Sequence, residues 1–94
     1  DSVIARGKSM IQIEIISPAY EKINEMILNR FKRGATLIHI EGGYSRGESY
    51  ELQTVVTPRE FFAIKQAVLE LDPSAFVIVG NVSEVSGRGF TLKK

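Results

Sequence analysis

"ATLIHIEGGYSRGESYELQTVVT", residues 35–57, is the stretch on which the fold turns. Two runs rich in β-branched and aromatic residues, "ATLIHIE" and "SYELQTVVT", flank the glycine-bearing "EGGYSRG" of Glu41 to Gly47. Strand-like runs joined by a short glycine-rich segment read as a β-hairpin, because glycine supplies the positive φ that tight turns require. An antiparallel pair therefore sits mid-chain, and the flanking segments have to be arranged around it.

Upstream, "MIQIEII" (Met10 to Ile16) alternates Ile11, Ile13 and Ile15 against Gln12 and Glu14. Period two with β-branched residues predicts a half-buried strand. Ser17 and Pro18 then offer an N-cap and a first-turn proline. Tyr20, Ile23, Ile27 and Phe31 make one apolar stripe of the following helix. That helix is expected to stop at a left-handed Gly34, after the cations Arg30, Lys32 and Arg33. Downstream, "TPRE" (Thr57 to Glu60) matches a capping box with proline at the first helical position. Phe61, Ile64, Val68 and Leu71 stripe a second helix, which Asp72–Pro73 ends. "AFVIV" (Ala75 to Val79), a continuous apolar run, predicts a buried strand.

The order β-α-β-β-α-β, with right-handed crossovers and one hairpin, predicts an α+β ferredoxin-like sandwich: a four-stranded antiparallel sheet with two helices on one face. Residues 10–80 form its core, 1–9 a linker and 81–94 a polar tail. At 94 residues the chain has room for one domain. It carries 12 basic and 11 acidic residues, for a net charge of +1, so no strong electrostatic pull toward nucleic acid or anionic lipid is implied. With no cysteine, disulfides, thiolate nucleophiles and Cys-based zinc sites are excluded. No apolar run approaches the roughly 20 residues needed to span a bilayer.

One sheet face of such a sandwich lies outside the helices. Gln12, Glu14, Glu51 and Gln53 are assigned to it, with His39 and Glu41 on one choice of register; Leu37, Val55 and Val77 are apolar candidates. RNA-binding domains of this fold stack bases on aromatic residues of the central strands. Carboxylates and amides stand there instead, so no nucleic-acid partner is expected. The face either assembles subunits or is simply solvated.

The chemistry-bearing residues are sparse. His39 is the only histidine and has no second histidine or cysteine to complete a metal site. Ser45, Ser49 and Ser86 lack a nucleophile-elbow context. Glu14 and Glu51 approach across strands without sign of a cleft. No enzyme activity, cofactor or metal is expected. "EGGYSRG" is either a hairpin turn alone or a backbone cradle in which Arg46 holds an anion. It does not match the phosphate-loop pattern, which opens a helix rather than a strand. "SGRGF", Ser86 to Phe90, poses the same choice around Arg88.

"IIS" (Ile15 to Ser17), "RGAT" (Arg33 to Thr36), "GGYSRG" (Gly42 to Gly47), "DPSAFV" (Asp72 to Val77) and "EVSGRGF" (Glu84 to Phe90) occur in order along nearly the whole chain. In them the chain resembles the domain of unknown function that forms the C-terminal cytosolic part of YitT-type bacterial multi-pass membrane proteins. The resemblance implies an N-terminal membrane portion as partner and a place on the cytoplasmic side of the membrane. It implies no assigned activity. A looser likeness is to PII-type signalling proteins, trimers that bind nucleotides between subunits; they share Gly34 and Thr36 before the second strand but carry a longer loop after it. Together these predict a regulatory module for a small anionic ligand, such as a nucleotide or another phosphorylated molecule. Its candidate ligand residues are Arg33, Thr36, Gly43, Tyr44, Arg46, Arg88 and Phe90. The alternative is a ligand-free domain that oligomerises through the open sheet face.

Overall fold

The computed structural model describes residues 9–43 and 47–82. Its elements are β1 (Met10–Ile16), α1 (Tyr20–Phe31), β2 (Thr36–Glu41), β3 (Glu48–Val56), α2 (Pro58–Leu71) and β4 (Phe76–Val82). The strands form one sheet in the order β2-β3-β1-β4, and every neighbouring pair is antiparallel. This is the ferredoxin-like topology: each helix carries the chain over one strand to the next but one.

Both helices cover the same sheet face. Ile13 and Ile15 of β1 and Leu52 and Val56 of β3 point into them and are fully buried or nearly so. Ile23, Met26 and Ile27 of α1 and Ile64, Ala67 and Val68 of α2 complete the core. The alternation in "MIQIEII" thus sorts β1 between core and open face, as period-two patterning requires.

The helix starts and stops are set by different devices. α2 begins with the complete capping box: the Glu60 amide donates to Thr57 Oγ1 at 3.2 Å, and the Thr57 amide to Glu60 Oε1 at 3.0 Å. α1 departs from expectation at both ends. Its N-cap is Ala19, with no side-chain cap, and Pro18 precedes the helix. The Ser17 hydroxyl instead accepts from the Ala19 amide at 2.9 Å and donates to Asp72 Oδ2 at 2.6 Å. Ser17 therefore ties the start of α1 to the residue that ends α2. At the other end the left-handed residue is Lys32 (φ 57°), not Gly34; its amide donates to the carbonyls of Ile27 and Leu28. The helix closes directly after its last core contact, Phe31, and the chain must reverse there whatever residue is present.

β4 departs too. It runs from Phe76 to Val82 rather than over 75–79, and it is an edge strand, not a buried one. Only Val77 among its first residues packs partly against the core; Phe76, Ile78 and Val79 are exposed. The two helices sit over β3 and β1, so an outer strand has no helix above it.

Candidate functional site

The strands leave one extended surface, the sheet face away from the helices. β1 places Gln12, Glu14 and Ile16 on it, and β3 places Glu51, Gln53 and Val55, because Glu14 stands opposite Gln53 and Ile16 opposite Glu51. The outer strands add Thr36, Ile38 and Ile40 from β2 and Phe76 and Ile78 from β4. Phe76 is 63% exposed, Ile78 41% and Ile38 37%. The pattern is a polar centre with apolar residues on both flanks.

The register corrects four assignments. Leu37 pairs with Leu52 and His39 with Tyr50, so Leu37, His39 and Glu41 lie on the helix side of the sheet. Val77, opposite Ile15, does too. A one-residue step exchanges the faces of a strand. Fixing Leu52 in the core therefore sends Ile38 and Ile40 outward. Val55 is on the open face as expected. An aromatic, Phe76, also lies there, but on the edge strand and not in the centre.

At the polar centre Gln53 Nε2 donates to Glu14 Oε2 at 3.1 Å. Glu51 is the diagonal neighbour of Glu14. Burial between strands pushes the Glu51 carboxyl up from its ordinary range; the charge of Glu14 and a hydrogen bond to it push in the same direction. Not one lysine or arginine lies on the four strands. The carboxylate pair thus has no cation on its own face among the described residues.

The helix side of β2 is partly uncovered. His39 stacks edge-on to Tyr50 with ring centroids 5.4 Å apart, and Tyr50 contacts Tyr20 at 5.2 Å. His39 Nε2 lies 3.5 Å from Glu48 Oε1. Among the described residues no three His, Asp or Glu side chains converge on a metal position.

The expected ligand residues are scattered where they are described. Arg33 is already occupied: its guanidinium clamps Glu60 in a forked contact, Nε at 3.1 and 3.2 Å and Nη2 at 2.9 Å. The clamp sets the link between α1 and β2 against the capping box of α2. Burial raises the Glu60 carboxyl, but the hydrogen bonds from Arg33 and from Thr57 outweigh it and hold it below the ordinary range. Local pattern marks Glu60 only as a cap; its distance of 27 residues from Arg33 conceals the pairing. Thr36 is exposed on the open face opposite Gln53. Gly43 lies beyond the other end of β2, roughly 20 Å along the strand. The Gly42 amide donates to the Gly47 carbonyl at 2.8 Å, closing the turn. Neither Gly34 nor Gly43 takes a left-handed φ, and a Cβ at either would meet nothing. Tyr44, Arg46, Arg88 and Phe90 lie outside the described residues, as do Ser45 and Ser86.

The model of a family described as uncharacterised proteins conserved in bacteria (DUF2179) matches residues 33–87. An uncharacterised protein from the cccA 5' region of Bacillus sp. (strain PS3) is 42% identical over 93% of this chain and 57% of its own length. The UPF0750 membrane proteins YvjA and YpjC of Bacillus subtilis (strain 168) are 42% and 37% identical over 81% and 83% of the chain. The chain spans only 27% of each. A crystal structure of a DUF2179 protein from Eubacterium ventriosum superposes with a TM-score of 0.67, covering 76% of this chain and 97% of that one at 24% identity, which supports the fold alone. Among the described residues no helix is long and apolar enough to cross a membrane.

Proposed function

Since the chain belongs to the DUF2179 family of uncharacterised bacterial proteins, we propose that it is an assembly module of a bacterial membrane protein, working through its open sheet face. The observation that carries this reading is the exposed apolar flank formed by Phe76, Ile78 and Ile38 around a polar centre. The relatives YvjA and YpjC are membrane proteins, and the module is a cytoplasmic-side appendage of such a parent. A four-stranded face with strands of about seven residues offers roughly 600 Å² of accessible surface per copy. Two copies bury about 1,200 Å², the low end of a specific interface. Association is therefore weak for the free module and is reinforced when a membrane tether raises the local concentration. Sedimentation velocity on the 94-residue chain tests this. Concentration-dependent association is expected, abolished by Ile78→Glu or Phe76→Glu with the fold retained. A chain that stays monomeric at high concentration refutes it.

A second reading keeps the ligand. The Gly42 amide and the Gly47 carbonyl meet across the segment that holds Gly43 and Arg46, residue types that suit a small anion such as a nucleotide. Because Arg33 is committed to Glu60, Arg46 and Arg88 have to supply the charge. A thermal-shift screen with nucleotides and inorganic phosphate decides: stabilisation lost in Arg46→Ala or Arg88→Ala supports it, and stabilisation indifferent to both removes these residues from the site.

A further inference from the structure

The polar centre of the open face raises a problem that its apolar flanks do not. Glu51 is directly opposite Ile16 on one side and Ile38 on the other; Glu14 is opposite Gln53 and Ile78. Two carboxylates thus stand in the middle of a surface that is otherwise amide, hydroxyl and hydrocarbon. Glu14 and Glu51 are the only titratable side chains on this face among the described residues. Glu48 and His39 project from the helix side, and Glu60 and Arg33 belong to the link behind it.

Covering this face with a second copy brings four carboxylates together, with no cation on the four strands of either partner among the described residues. Burying an unpaired carboxylate is unfavourable, and two that share a site do not both stay ionised. The arrangement supplies its own remedy: within each copy one carboxylic acid can donate its O–H to the other carboxylate, while Gln53 donates to Glu14. That leaves each copy with one charge, and the Gln12 and Gln53 amides of the facing copy are the donors available for it. A two-fold stack, in which the same patch meets itself, brings carboxylates and amides of opposite copies together.

We propose that the open face closes on a second copy of this chain with uptake of one proton by each Glu14–Glu51 pair, so that assembly is strengthened by mild acid. The inference rests on the assembly reading above. The proton comes from solvent as the face is covered and returns to it on dissociation, so the association constant rises as pH falls.

Sedimentation velocity between pH 7.5 and 5.5 tests it, with circular dichroism to verify the fold of each variant. The wild-type dissociation constant is expected to fall at least about tenfold over this range. Glu51→Gln, and separately Glu14→Gln, removes a charge without removing hydrogen-bonding capacity. Both are expected to associate at pH 7.5 as tightly as wild type does at pH 5.5, with a flattened pH dependence. His39→Gln, on the opposite face, is expected to keep the wild-type pH response. Wild-type association that is equal at both pH values overturns the proton linkage and leaves the assembly reading standing. So does a pH response that survives both glutamine variants or vanishes in His39→Gln. No association of wild type or of either glutamine variant at any pH, or association indifferent to Ile78→Glu, overturns both.

Discussion

The two faces of the sheet are built from the same strands and treat their isoleucines differently. On β1, Ile13 and Ile15 are buried under the helices, while Ile16, one step on, turns to the open face beside Glu51. On β2, with no helix above it, even the helix-side Leu37 is exposed, and so is Ile38 opposite. An isoleucine on the covered face contributes to the fold of one chain; on the open face it has little to contribute until something covers it. Burial, not residue type, divides structural from interaction roles here.

The largest expected effect lies on the covered face. Ile27→Ala or Ile13→Ala removes fully packed side chain and leaves a cavity, for a loss of about 2–5 kcal/mol in a urea unfolding titration. Ile78→Ala, the same deletion on the open face, should cost the monomer less than about 1 kcal/mol. Equal losses would mean that the open face is covered within the chain itself.

Next comes the clamp behind the sheet. Arg33→Ala strips Glu60 of its forked partner and should cost about 1–2 kcal/mol near neutral pH. Because the folded Glu60 carboxyl titrates below its unfolded value, the contribution is fully present above the unfolded value of about 4.3 and is lost as pH falls through the folded one. Wild type and Glu60→Gln should therefore differ in melting temperature at pH 7 and converge on acidification. A gap that persists well below pH 4 would assign the effect to packing rather than charge.

The carboxylate pair has the opposite sign. Glu51 titrates higher in the folded chain, so its charged form opposes folding at neutral pH. Glu51→Gln should raise the melting temperature of the monomer slightly at pH 7, where the like charges of Glu14 and Glu51 repel, and have no effect in acid. The smallest effects sharpen the helix ends: Lys32→Gly should gain about 0.5–1 kcal/mol by relieving a left-handed lysine, and Gly34→Ala should be close to neutral.

Much of the fold is legible from local pattern. The period-two "MIQIEII", the stripes of α1 and α2, the Thr57 capping box and the Gly-rich hairpin are short-range signals, each complete within a few residues. Their order restricts the topology to one familiar arrangement. Pattern misleads where local signals compete. Ser17 carries the chemistry of an N-cap but spends its hydroxyl on Asp72, 55 residues away. Gly34 looks like a helix stop, yet the reversal falls at Lys32, directly after Phe31 makes the last core contact of the helix. "AFVIV" looks buried, yet it forms an edge. Of the expected ligand residues, Arg33 looks like a free cation because its partner Glu60 is already explained as a cap.

The sequence by itself determined the order of elements, the central residues of the helix stripes and the absence of thiol chemistry, because these depend on residue type and spacing alone; Leu71, at the end of the α2 stripe, is exposed, and Met26 and Ala67 join the core instead. Only the tertiary structure decided the rest. Register sets which side of β2 carries Ile38 and which carries His39, helix placement sets which strands stay uncovered, and folding brings Arg33 to Glu60 and Glu51 to Glu14. Those outcomes depend on contacts between segments far apart in the chain, and the energy of such contacts has no signature in either segment alone.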